Sequence, residues 1–100
     1  MDIKIEEKDN EVIAYVKGSW TFRDYEEYTK IINKIKTTSS KKFVIDLDEC
    51  DFIDSAGLGM LVIANDEMIA KNIKPVIRNA RGRLKDVFYA ARFDTLYKFE

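Results

Sequence analysis

Histidine is absent from this chain and only one cysteine, Cys50, is present, so the residues that could do chemistry reduce to hydroxyls and carboxylates. The carboxylates gather in one stretch, Asp46, Asp48, Glu49, Asp51 and Asp54, which runs into Asp54-Ser55-Ala56-Gly57-Leu58-Gly59. A Ser-His pair is impossible, and zinc sites that lean on imidazole are excluded. A lysine-activated serine stays formally open, but no lysine lies near Ser55 in sequence. The acids lack the glycine and terminal glutamate of an EF-hand loop, and strand alternation would scatter them, so neither a dedicated metal site nor a cofactor is expected. Without a Gly-Lys-Ser/Thr loop, a nucleotide hydrolase has no phosphate cradle. Neighbouring carboxylates raise the pKa of a thiol, so Cys50 reads as a packing residue and not a redox sensor.

Ser55 is what remains. Before it, Phe43-Val44-Ile45-Asp46-Leu47 is a nearly continuous apolar run; after it, apolar residues return every three or four positions as far as about Asn72. The pattern predicts strand, acidic loop and helix, with Ser55 opening the helix. The first N–H groups of a helix have no carbonyl partner inside it and carry partial positive charge. A serine oxygen there either caps one of those groups or carries a phosphate that they stabilise. Gly57 and Gly59 are poor helix formers in the first turns. Lacking side chains, they either pack closely on a neighbouring strand or admit a partner close to Ser55.

The rest of the chain must position this segment. Ile3, Ile5, Val12, Ile13, Tyr15 and Val16 alternate loosely with charged residues around Asp9-Asn10, which predicts a β-hairpin ended by Gly18. From Phe22 to about Lys36 the period becomes helical, with Thr21 and Asp24 forming a capping box and Tyr25, Tyr28, Ile32 and Ile35 on the inner face. Lys74-Pro75-Val76-Ile77-Arg78 reads as a short buried strand. Asn79 can cap a third helix over about 80–91, with Leu84, Val87, Phe88 and Ala91 inward. Phe93, Leu96, Tyr97 and Phe99 give the tail apolar anchors. Strand-helix-strand units generate parallel neighbours, so the expected product is a single α/β domain over residues 1–100 with a mixed four- to five-stranded sheet, helices packed on it and an N-terminal hairpin. The end of the central strand and the start of the next helix then share one edge crevice.

Composition narrows the function further. Charged residues make up 35% of the 100 residues, yet the net charge is −1, which argues against a direct nucleic-acid binder or a polybasic membrane-surface module. No apolar run approaches membrane-spanning length, and Met1-Asp2-Ile3-Lys4 has no signal-peptide pattern, so a reducing, cytoplasmic setting is expected.

With Val44-Ile45-Asp46-Leu47 and a short loop before it, the Asp-Ser-x-Gly-Leu-Gly motif resembles that of the STAS domain family, and more narrowly the bacterial anti-sigma factor antagonists. The early hairpin, Gly18 before the first helix and Val76-Ile77-Arg78-Asn79 extend the resemblance over nearly the whole chain. It implies the SpoIIAA-like fold, a non-catalytic role, and reversible phosphorylation of Ser55. It also implies binding to a serine/threonine kinase of the GHKL ATPase type that doubles as an anti-sigma factor, with release of a sigma factor and reactivation by a PP2C-type phosphatase. Two positions depart from the family pattern. Thr21 stands where members often carry an acid, and Arg92-Phe93 stands where Gly-Leu is common; a left-handed Arg92 would cost roughly 1 kcal/mol. A phospho-switch is one reading. A constitutive STAS subunit of a larger assembly, such as a lipid-transport ATPase or a sensor complex, is the other.

The expected partner-binding surface comprises Asp54, Ser55, Gly57, Gly59 and Thr21, together with a patch on the helix. Stepping about 100° per residue, Gly57, Leu58, Leu61, Val62, Ala64, Met68 and Ile69 form the core face, while Met60 and Ile63 flank it on the side of Ser55 and are predicted to dock a partner. Asn65 falls within the inward arc and, if buried, must find hydrogen-bond partners.

Overall fold

In the computed structural model, which describes all 100 residues, apolar-polar alternation produces the expected hairpin: β1 (Asp2–Lys8) pairs antiparallel with β2 (Glu11–Trp20). Asp9 and Asn10 make the turn, both with positive φ, at 56° and 64°, the conformation that two-residue hairpin turns require. A 3-10 turn (Phe22–Asp24) leads into α1 (Tyr25–Thr37); then come β3 (Lys42–Ile53), α2 (Ser55–Ala70), β4 (Lys74–Arg78), α3 (Gly82–Ala90), a second 3-10 turn (Phe93–Thr95) and β5 (Lys98–Phe99). The five strands lie in chain order, and every pair after the hairpin is parallel.

Two expectations about the central strands are corrected. Gly18 does not end β2; it lies within it at φ 92°. The acidic stretch is not a loop, because β3 continues through it to Ile53 with two bulges. Tyr15 opposes Asp46 but Lys17 opposes Glu49, and Gly18 opposes Cys50 while Ser19 opposes Phe52, so β3 gains one residue on β2 at each step. The bulges turn the inward period into three: Leu47, Cys50 and Ile53 are buried, with exposed pairs between them. The acids serve this geometry. Asp46 accepts the Asp48 N–H at 2.9 Å and the Asn79 side-chain amide at 3.1 Å, and Asp51 accepts the Ser19 hydroxyl at 3.1 Å. Arg81 binds both the carboxylate and the backbone carbonyl of Asp48.

Phe43, Ile45 and Leu47 face a core shared with Trp20, Tyr28, Ile31, Ile35, Leu61, Met68 and Phe88. The alternate residues Val44 and Val76 are fully buried outside that core, and strand alternation puts them on the opposite face of the sheet. Along β3, β4 and the chain end, Lys42 and Arg78 each pair with both Glu11 and Glu100. The helix faces also depart from expectation. In α1 Ile31 is buried, whereas Tyr25 is exposed. In α3 Ala91 is exposed, and Asn79 does not cap; the N-cap is Arg81, while Asn79 sits at φ 64° and reaches back to Asp46.

The tail is fastened to α2 by two bonds, one part-buried and one buried. Buried Asn65 donates to the Leu96 carbonyl at 2.7 Å, which answers its need for a partner, and the Tyr97 hydroxyl donates to the Leu61 carbonyl at 2.6 Å. Arg92 adopts the left-handed conformation at φ 61° that glycine would take without strain.

Candidate functional site

At the junction of β3 and α2, Asp54 and not Ser55 is the helix cap. Its Oδ1 accepts the Gly57 N–H at 2.8 Å and its backbone carbonyl accepts the Leu58 N–H at 3.0 Å. Its Oδ2 accepts the Phe22 N–H at 3.0 Å, and its own N–H donates to the Trp20 carbonyl at 3.0 Å. One residue therefore ties the end of β2, the first 3-10 turn and the start of α2 together. Thr21 completes the expected capping box: its N–H donates to Asp24 Oδ2 at 2.7 Å and its Oγ1 accepts the Arg23 N–H at 3.3 Å.

Ser55 occupies the first helical position and is exposed. Because Asp54 takes the Gly57 N–H, the N–H groups of Ser55 and Ala56 are left without partners beside the free hydroxyl. Polarised N–H groups at a helix start favour an anion on that oxygen.

The two glycines of the motif do different things. A Cβ on Gly57 would lie 2.6 Å from Ile53 Cγ1 and 3.0 Å from the Trp20 carbonyl oxygen. Gly57 is thus demanded by packing inside the domain, and it is buried. A Cβ on Gly59 would meet nothing within 4 Å, so no internal contact requires a glycine there.

Half of the expected docking patch is corrected. Met60 is only 7% exposed and its sulfur accepts the Trp20 indole N–H at 3.2 Å; the indole needs an acceptor in the core, and the flexible thioether supplies it. Ile63 is exposed as expected, and Val62 and Ile69, assigned above to the core, are exposed with it. The outward stripe of α2 therefore runs Ser55, Gly59, Val62, Ile63, Asp66 and Ile69. Cys50 is buried, and burial first, with Asp51 a lesser cause, pushes its thiol pKa up. No three acids or cysteines converge as a metal-binding group.

The family model of the STAS domain matches residues 2–100. This chain belongs to the STAS domain family. A STAS-domain containing protein of Pseudomonas aeruginosa (strain UCBPP-PA14) is 22% identical over 88 residues, spanning 88% of this STAS domain and 86% of that protein. Among solved structures, Bacillus SpoIIAA in its phosphorylated form superposes with a TM-score of 0.75 at 17% identity, covering 98% of this domain and 90% of that chain; SpoIIAA is an anti-sigma factor antagonist. A sulfate transporter family protein of Wolinella succinogenes gives a TM-score of 0.76 at 14% identity, covering 90% and 76%. At such identities the likeness carries the fold, and function must be argued from the site.

Phe22 and Arg23, exposed in the turn beside this junction, were not among the expected site residues; the capping box of Thr21 and Asp24 is what fixes their place.

Proposed function

We propose that this STAS domain is an anti-sigma factor antagonist, a non-catalytic module that binds an anti-sigma factor kinase of the GHKL type when Ser55 is free. Binding frees a sigma factor, and phosphorylation of Ser55 ends it. The observation that supports this most strongly is that Ser55 has no structural duty: Asp54 caps the helix, so the exposed hydroxyl and the two free N–H groups beside it are spare. The existence of SpoIIAA in a phosphorylated form lends the reading weight.

In the transfer step the Ser55 oxygen displaces ADP from the γ-phosphorus of ATP, losing its proton as the new P–O bond forms; a PP2C-type phosphatase reverses the modification by hydrolysis. The product carries about −1.5 to −2 charges. Within the domain the helix start offsets much of that charge, and the cap need not move, so the fold persists. At a docked interface the same group loses solvation and meets an apolar or acidic partner surface, which costs affinity. A cytoplasmic setting goes with these proposed partners.

Incubation with GHKL-type serine kinases of its own cell and ATP, followed by intact-mass measurement, is expected to add one phosphoryl group to the wild type and none to Ser55→Ala. The phosphorylated protein should bind that kinase at least tenfold more weakly, a difference of about 1.4 kcal/mol, while melting close to the unmodified protein. Equal affinity of the two forms refutes the switch. Likeness to the sulfate transporter protein favours a second reading, a constitutive subunit of a larger assembly, and a Ser55 that no such kinase modifies supports it.

A further inference from the structure

The first 3-10 turn carries an exposed aromatic side chain on a backbone that hydrogen bonds hold in place. Phe22 is 66% exposed, yet its backbone is fixed from both sides, by the N–H bond to Asp54 and by the Thr21–Asp24 box around it. The Arg23 guanidinium lies over the Phe22 ring at 5.5 Å, and it takes part in none of the ion pairs of the molecule, although the chain has as many acids as bases to within one residue. Exposed, pre-organised aromatic and arginine side chains are the kind that anchor protein interfaces, because little ordering entropy is lost on docking.

We infer that Phe22 and Arg23 form the second half of the docking surface that Ser55 regulates, Phe22 as the apolar anchor and Arg23 as the charge that selects an acidic partner surface. This rests on the function proposed above. Continuity comes through Asp54, which binds the Phe22 N–H with one carboxylate oxygen and caps the Ser55 helix with the other, so the two features keep a fixed spacing. Charge supplies the occupant. The unpaired guanidinium calls for a carboxylate on the partner, beside an apolar pocket for the ring, and an acidic surface is one that a phosphate on Ser55 repels.

The test uses the full chain and the kinase shown by intact mass to phosphorylate Ser55. Phe22→Ala is expected to weaken binding of the unphosphorylated protein at least tenfold. Arg23→Glu should weaken it by a similar factor and flatten its dependence on salt, while Lys85→Ala, exposed on α3 and off the outward stripe of α2, leaves it within twofold. Melting temperatures check that each variant is folded. If Ser55 is phosphorylated and its phosphate still blocks binding, but Phe22→Ala and Arg23→Glu bind within twofold of wild type, this inference is overturned and the switch stands. If no kinase modifies Ser55, the proposed function and this inference fall together. Equal weakening by Lys85→Ala would show that the loss is not particular to the turn and would also overturn it.

Discussion

Gly59→Ala separates what the fold needs from what a partner needs. Glycine inside a helix costs about 1 kcal/mol relative to alanine, because it leaves more backbone freedom to lose on folding. At position 59 the added methyl meets no atom within 4 Å, so nothing offsets that gain. The variant should be about 1 kcal/mol more stable, which in a domain of this size raises Tm by roughly 4–8 °C. Differential scanning calorimetry reads that shift directly. Binding of the unphosphorylated variant to the Ser55 kinase should nonetheless fall, since the methyl stands on the outward stripe one helical turn from the hydroxyl. Gly57→Ala is the internal control: its methyl would press on Ile53 and on the Trp20 carbonyl at 2.6 and 3.0 Å, and such overpacking destabilises by about 1–3 kcal/mol. A Gly59→Ala protein that is more stable and binds as well as wild type would refute the argument that this glycine is kept for close approach. One that is less stable would refute the packing argument beneath it.

Two further predictions concern stability. The buried Tyr28 hydroxyl has no hydrogen-bond partner, and burial holds its phenol above the usual tyrosine range; Tyr28→Phe should remove an unmet desolvation cost and stabilise the domain by about 1 kcal/mol, and a lower Tm for the variant would sink this. Glu7 on β1 binds Lys34 at 2.6 Å and the hydroxyls of Thr38 and Ser40, and Lys34 first among these lowers its carboxyl from the ordinary 4.5 to about 2. A folded-state pKa below the unfolded value stabilises fully above the unfolded value, and the contribution is lost as pH falls through the folded one. Glu7→Gln should therefore lower Tm at neutral pH, with the gap to wild type closing between about pH 4.5 and pH 2; a gap that does not change with pH counts against the assignment.

The hairpin, the three helices and the strands β3 and β4 were legible because each carries a period or a capping signal, whereas the two-residue β5 read only as an anchored tail. What escaped reading had a reason in each case. The second half of β3 follows neither a two-residue nor a helical period: Leu47, Cys50 and Ile53 point inward every third residue because two bulges intervene, and that pattern imitates a polar loop. In α2 the run from Ala56 to Ala64 has no polar residue, so the sequence ranked its faces poorly, and Met60 changed places with Val62 and Ile69. The buried Trp20 indole donates to the Met60 sulfur, a partner that turns Met60 inward. Asn79 looked like a cap because its side chain suits one, but Asp46 bound it first. At the site, Ser55 was placed correctly and its competitor for the capping role was its own neighbour: an aspartate beside a serine leaves open which of them turns back to the Gly57 N–H.

That choice has a consequence for how modification works. Had Ser55 been the cap, a phosphate would have had to break the bond that starts α2, and the switch would have been a local unfolding. With Asp54 holding the Gly57 and Phe22 N–H groups, those of Ser55 and Ala56 stay free, open to the phosphate proposed for Ser55. The charge can be added and removed without disturbing the junction of β2, β3 and α2. On the proposed function, a surface built this way would report its state to whatever covers it, which is what a protein-binding module requires of a serine.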